Sequence, residues 1–135
     1  MKTIEKKTVN DFAEFKIKKS SDNLVFIMIK VTSTGEAHPD QWAQVQSIFD
    51  TYAKEQVCGK MVIDLSQSSA STFSLPYIQR WSVFFKDNRK YLRECHTYVA
   101  FVSDSTLFRT VFSVAISLSP PQIPFHVVAS KKELP

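Results

Sequence analysis

Short apolar runs and longer amphipathic segments alternate along most of this chain. The clearest run, K-M-V-I-D-L at residues 60–65, is rich in branched side chains and is followed by small hydroxyl residues and then by an amphipathic segment. This pattern predicts a buried strand that leads through a loop into a helix. In α/β proteins the loop after such a strand opens at the carboxyl edge of the sheet, where ligands and partners bind. We therefore expect the functional site between Asp64 and Leu75.

The same alternation predicts the remaining elements. Apolar residues indicate two strands at 12–18 and 24–31, which form a hairpin, and two more at 98–102 and 125–129. Apolar residues at steps of three and four indicate helices at 39–54, 76–95 and 105–118. The order β-β-α-β-α-β-α-β predicts an α/β fold with a mostly parallel sheet and an antiparallel N-terminal hairpin. We expect a single domain at 12–135 after a flexible N-terminal stretch at 1–11.

Composition narrows the class of protein. A hydrophobic content of 44% favours a packed globule over a disordered chain. The two glycines, Gly35 and Gly59, are too few for the glycine-rich phosphate-binding loops of dinucleotide-binding and P-loop enzymes. The N-terminus has no apolar signal core, and no stretch approaches the roughly 20 apolar residues that span a bilayer. These features predict a soluble, cytoplasmic protein.

The two cysteines give little support to a cysteine-based scaffold. Cys58 and Cys95 lie far apart in the sequence, with neither CxxC spacing nor a cysteine-dense framework around them. Disulfide and zinc scaffolds are therefore both poorly supported, and a reducing compartment is the simpler interpretation.

The net charge of +4 raises the question of an anionic partner. Basic residues near the N-terminus are interspersed with acidic ones, and those between Arg80 and Arg93 follow one another along a predicted helix. Such a distribution is typical of a solvated helix face. Nucleic acid is therefore an unlikely partner.

In element order and motifs the chain resembles a STAS domain of the SpoIIAA-like branch. The resemblance covers residues 12–135 and is carried by V-I-D-L-S at 62–66, V-A-F-V at 99–102 and I-P-F-H-V-V-A-S at 123–130. It implies a single-domain α/β sandwich that acts as a non-enzymatic regulatory or protein-interaction domain. Members of the family also include small-molecule binders and components of lipid transport.

The resemblance also directs attention to the loop after the central strand. Phosphorylatable members carry an Asp-Ser pair near the start of the following helix, whereas the corresponding positions here hold Thr72 and Phe73. The pair is absent, so a phosphorylation switch would need a substitute. The candidate phosphoacceptor or loop residues are Asp64, Ser66, Ser71, Thr72 and Ser74, since a helix N-terminus stabilises added negative charge. The simpler alternative is that these hydroxyls only cap the helix and satisfy loop amides.

The sequence offers no catalytic or metal-binding constellation. His38, His96 and His126 fall in separate elements, and none is paired with a recognisable nucleophile. No pair of ligand residues has metal-binding spacing on one helix face, so we expect no metal and no cofactor. Asp64 is the most unusual acid because it lies in an apolar strand. We expect it to bind loop amides, the alternative being a functional carboxyl with a raised pKa.

The third predicted helix is apolar around most of its circumference. A helix that lies on one sheet face needs an apolar stripe only somewhat wider than about 100°, and residues 107–118 exceed this. The excess is covered by the chain itself, by another subunit, or by an apolar, lipid-like ligand between helix and sheet. The candidate partner or ligand residues are Trp81, Phe108, Phe112 and Ile116. The leading hypothesis is a non-enzymatic domain that docks a protein partner or forms a homodimer, and the alternative is an apolar-ligand carrier.

Overall fold

The computed structural model describes residues 1–32, 38–67, 75–118 and 124–135, without the side chains of 75–78 and 115–118. The strands are β1 (Lys2–Val9), β2 (Ala13–Lys19), β3 (Val25–Val31), β4 (Gly59–Asp64), β5 (His96–Val102) and β6 (Phe125–Val128). The helices are α1 (Pro39–Lys54), α2 (Leu75–Asp87), α3 (Arg89–Cys95) and α4 (Thr106–Leu118), and a 3-10 turn follows at Lys131–Glu133.

The strands form one mixed sheet in chain order, β1-β2-β3-β4-β5-β6. The first three strands are antiparallel, and β3 to β6 are parallel. Parallel crossovers almost always share one hand, so strands in chain order place every crossover helix on the same face of the sheet. The predicted α/β class, with its antiparallel N-terminal edge, is confirmed.

The expectation of a flexible stretch before residue 12 is wrong. Residues 2–9 form β1, which pairs with β2 along its length from Lys2 opposite Lys19 to Val9 opposite Ala13. The sequence of β1 is polar because the strand lies at the sheet edge, where most of its side chains remain in solvent. Backbone pairing, with Val9 as its buried anchor, therefore orders a segment that has no apolar pattern of its own.

The main core lies between the helices and one face of the sheet. On the sheet side, alternate residues of β2 to β5 point toward the helices, as the two-residue period of a strand requires. Aromatic side chains fill much of the layer, and their rings pack edge to face: Trp42 and Trp81 are 5.0 Å apart between centroids, and Phe49 and Phe84 are 4.6 Å apart. We call the side of the sheet that the helices cover the helix face.

The predicted helix at 76–95 is divided in two at Asn88. The side chain of this buried residue donates a hydrogen bond to the carbonyl of Phe84 (2.8 Å) and exchanges two more with the amide of Gln46 on α1 (2.8 and 2.9 Å). Asn side chains that bond to nearby backbone groups compete in this way with the backbone hydrogen bonds of a helix. The break fixes α3 as a separate short helix that leads into β5.

The opposite side of the sheet, the helix-free face, carries a smaller apolar cluster. Val62, Tyr98, Ala100 and Val102 form it, and Leu134 from the C-terminal tail packs against it. The tail is held by Glu133, whose carboxylate accepts hydrogen bonds from the backbone amides of Ala129 (2.6 Å) and Ser130 (3.0 Å). The tail, rather than a helix, therefore covers β4 on the helix-free face. This explains why β4 carries apolar residues on both of its faces.

The expectation that the cysteines form no scaffold is also wrong. Cys58 and Cys95 are joined by a disulfide, with their Cα atoms 4.5 Å apart. Cys58 precedes β4 and Cys95 ends α3 just before β5, and the amino ends of these neighbouring parallel strands lie side by side. The argument for a reducing compartment rested on unpaired cysteines, and the disulfide removes that basis.

Candidate functional site

Asp64 ends β4 on the helix-free face, close to the predicted functional loop. Its side chain is buried, with 7% of the residue exposed. One carboxylate oxygen accepts a hydrogen bond from the backbone amide of Ser66 (2.9 Å), and the other lies 3.1 Å from the ammonium of Lys131 in the tail. A single carboxylate therefore connects the strand, the start of the loop and the C-terminal tail.

The environment of Asp64 keeps the carboxylate ionised. Burial alone would raise its pKa, but hydrogen bonds from the side chain and backbone of Ser66 and the charge of Lys131 outweigh that effect and lower the pKa below the ordinary value. The expectation that Asp64 binds loop amides is confirmed. The alternative of a raised pKa is wrong, so Asp64 is not poised to exchange protons near neutral pH.

A cavity of about 390 Å³ lies beside this ion pair on the helix-free face. Its charged lining consists of four lysines and two carboxylates: Lys16, Lys18, Lys30, Lys131, Glu14 and Asp64. The lining therefore carries a surplus of two positive charges. We call it the lysine cavity.

The alternation along two strands explains why these lysines share one face. Residues 14, 16 and 18 of β2 point away from the helices, since Phe15 and Ile17 between them are buried in the main core. On β3, Lys30 lies opposite Glu14 on one side and opposite Asp64 on the other. The period-two pattern of Glu14, Lys16 and Lys18 was present in the sequence, but the position of Lys131 depends on how the tail folds back.

Of the other predicted loop residues, only Ser66 lies within the described residues. Ser66 is exposed and binds Asp64. Ser71, Thr72 and Ser74 lie outside the described residues. Their proposed role as phosphoacceptors or helix caps therefore stays a prediction.

Three of the predicted interface residues lie in the core, and that part of the prediction is wrong. Trp81 and Phe108 are each 1% exposed, and Phe112 is 3% exposed. Their rings pack on β5, where Phe101 lies 5.6 Å from Trp81 and 4.3 Å from Phe112 between centroids. Their large apolar surface serves the chain's own sheet. The side chain of Ile116 lies outside the described residues.

The exposed apolar surface of α4 is carried by different residues. Leu107 is 75% exposed and Val114 is 55% exposed, with the partly buried Val111 between them on the helix surface. These residues follow the i, i+4, i+7 spacing of one helix face, turned away from the face of Phe108 and Phe112. We call Leu107, Val111 and Val114 the α4 stripe. In a helix that is apolar nearly all round, periodicity alone does not distinguish this stripe from the buried one.

Among the described residues, none of the three histidines is paired with a nucleophilic side chain. His96 is buried, its ring Nδ1 is 3.0 Å from the carbonyl oxygen of Gly59, and burial lowers its pKa. His126 lies on the helix-free face with its ring 5.3 Å from that of Tyr98. Within the described ranges, no three His, Cys, Asp or Glu side chains are close enough to hold a metal ion.

Comparison with known proteins establishes the fold. No protein-family model and no curated protein matches the sequence. The crystal structure of an uncharacterized DUF3478-family protein from Shewanella loihica PV-4, with a SpoIIAA-like fold, matches with a TM-score of 0.60 and 16% identity, over 98% of this chain and 93% of that one. The fold is SpoIIAA-like.

The SpoIIAA-like fold agrees with the resemblance seen in the sequence, and at 16% identity the match concerns the fold alone. In the structure, Asp64 and Ser66 lie at the carboxyl end of β4, and this is the edge where α/β sheets place their sites. Among the helices of the described residues, none is long and apolar enough to cross a membrane.

Proposed function

We propose that this chain is a non-enzymatic regulatory domain that associates with a second copy of itself through the α4 stripe. The observation that carries the proposal is the exposure of Leu107 (75%) and Val114 (55%) on one face of α4. Leu107 and Val114 lie two turns apart, and the half-buried Val111 between them joins them into one apolar strip. A contiguous apolar strip on the surface is typical of an interaction site. Burial against a second copy removes this surface from water.

The charge pattern of α4 favours a copy of the same chain as the partner. A two-fold interface places the same patch on both sides, so it must not carry uncompensated charges. Arg109 is the one charged residue between Thr106 and Leu118, and at about 100° per residue it lies on the side of the helix opposite Leu107 and Val111. Its guanidinium donates a hydrogen bond to the carbonyl of Ser103 (2.7 Å), so the charge lies outside the α4 stripe. The neighbouring polar residues on α4 are hydroxyl residues, which tolerate a symmetric contact.

The apolar-ligand alternative receives less support. It places a ligand between the helices and the sheet, and packed rings occupy that layer at Phe101, Phe112 and Phe125, with centroids 4.3 to 5.9 Å apart. A ligand there would have to displace well-packed side chains, at a cost in dispersion and burial. We therefore do not propose a lipid-like ligand.

Light scattering at several protein concentrations tests the proposal. We expect the wild type to have a mass that rises from monomer toward dimer, and Leu107→Asp/Val114→Asp to remain a folded monomer throughout. The matched control, Ile4→Asp/Leu24→Asp, adds the same two charges at exposed apolar positions on β1 and in the turn before β3. It should associate like the wild type.

Either of two results would contradict the proposal: a wild type that is monomeric at all concentrations, or association that the α4 variant and the control weaken equally. Phe112 is not used for this test because a carboxylate at a position that is 3% exposed would unfold the core. Circular dichroism verifies that each variant is folded.

A further inference from the structure

The lysine cavity lies on the side of the sheet opposite the α4 stripe, so the proposed association through α4 does not use it. Its charged groups come from β2, β3, the end of β4 and the tail. Three of these elements are held in register by the sheet, and the tail is held by the ion pair between Lys131 and Asp64. The cavity is therefore preformed, as small-molecule sites generally are.

The ion pairs within the cavity leave part of its charge unbalanced. Glu14 contacts two ammonium groups, those of Lys16 (3.0 Å) and Lys6 (3.5 Å), and the hydrogen bond and charge of Lys16 help to lower the pKa of Glu14. Asp64 is taken by Lys131 (3.1 Å). Within the described part of the chain, Lys18 and Lys30 have no carboxylate within 4.0 Å.

Like charges gathered in one concave surface attract an anion. Lysines that line a cleft raise the local concentration of anionic ligands. A bound anion also offsets the electrostatic repulsion between the ammonium groups, which favours binding. Each ammonium is a compact point charge, suited to an oxyanion that presents several oxygens without a fixed fork geometry. The volume of about 390 Å³ lies within the range of small-molecule pockets.

We propose that the lysine cavity binds a small soluble molecule carrying a phosphate or similar multivalent oxyanion, with Lys18 and Lys30 as its main ligands. Lys16 contributes a third positive charge that Glu14 only partly offsets, because that carboxylate is shared with Lys6. Met28, opposite Lys16 on β3, offers a polarizable apolar contact for the remainder of the molecule.

Titration with inorganic pyrophosphate, followed by NMR of backbone amides, tests this proposal. We expect the shifts to be confined to β2, β3, residues 64–67 and the tail around Lys131, and the affinity to fall as salt is added. Lys18→Gln/Lys30→Gln should weaken binding by about tenfold or more. The control Lys54→Gln/Lys90→Gln removes the same net charge from exposed positions on α1 and α3 and should bind like the wild type.

The outcomes separate the proposal from general attraction to anions. No shift with pyrophosphate, shifts outside the cavity, or equal weakening by both pairs of substitutions would each overturn it. A second arm measures cosedimentation with vesicles of phosphatidylcholine and phosphatidylserine. Vesicle binding without pyrophosphate binding would assign the lysines to a membrane surface and would also overturn the proposal. Lys18 and Lys30 are half-buried and Lys54 and Lys90 are exposed, and circular dichroism confirms that each variant folds.

Discussion

Asp64 shows how one side chain can tie together three parts of a fold. Its two oxygens receive the loop amide of Ser66 and the ammonium of Lys131, so the carboxylate is satisfied on both sides although it is buried. A buried charge without such partners would be strongly destabilising. The sequence identified Asp64 as unusual and predicted its bond to the loop, but it could not predict Lys131, because that contact depends on where the tail lies.

Asp64→Asn should lower the free energy of unfolding by about 1–2 kcal/mol near neutral pH. The substitution removes the ion pair with Lys131, whereas the asparagine oxygen can still accept the hydrogen bond from the backbone amide of Ser66. The folded state lowers the pKa of Asp64 below 3.8, so the folded protein binds fewer protons there than the unfolded chain. The contribution of the Asp64 charge to the free energy of unfolding is therefore complete above the pKa of the unfolded chain. It is lost as the pH falls through the lower pKa of the folded state.

Urea denaturation from pH 7 down to about pH 2 measures this effect, and the difference between wild type and Asp64→Asn should shrink toward the acid end. Asp87→Asn, at an exposed position at the end of α2, serves as the control. A difference that stays constant over the whole range would show that the ion pair does not stabilise the fold.

At the scale of elements, sequence patterns identified every crossover helix and the five strands whose side chains alternate or form apolar runs. The pattern failed for β1, which is ordered by pairing with β2, and for the break at Asn88, which depends on a hydrogen bond to Gln46 from a distant helix. It also failed for the disulfide. A usable signal was present there, since both cysteines directly precede neighbouring parallel strands, but it required the strand order first.

The disulfide fixes the amino ends of β4 and β5, and its loss should be measurable. Cys58 and Cys95 are 37 residues apart, so the crosslink restricts a large loop of the unfolded chain. We expect Cys58→Ser/Cys95→Ser to lower the free energy of unfolding by about 2–4 kcal/mol. A reductant should lower the urea midpoint of the wild type and leave that of the variant unchanged. Two free thiols in the untreated wild type, counted by mass spectrometry, would refute the pairing.

At the scale of the whole molecule, the sheet separates two surfaces of different chemistry. The helix side ends in the uncharged α4 stripe, and the helix-free side carries the lysine cavity and the tail. The sequence predicted spare apolar surface on α4 but placed it on Phe108 and Phe112, which the sheet covers. The basic residues from Arg80 to Arg93 are exposed on α2 and α3, which agrees with the predicted solvated helix face. The sequence did not predict that the lysines of β2 and β3 gather on one face of the sheet.

The central claim is that two copies of this domain meet through α4, and a distance between spin labels tests it most directly. Both native cysteines are in the disulfide, so a nitroxide attaches only at an introduced cysteine. Thr110→Cys places it on the exposed side of α4, and Lys6→Cys places it on the helix-free face as the control.

Pulsed electron paramagnetic resonance then reports whether two labels lie near each other. We predict a dipolar coupling between copies for the label at position 110, abolished by Leu107→Asp/Val114→Asp, and a weaker or absent coupling for the label at position 6. Coupling at position 6 alone would show that the copies meet through the helix-free face. Coupling at neither position would show that the domain does not associate with itself, and either result would contradict the account.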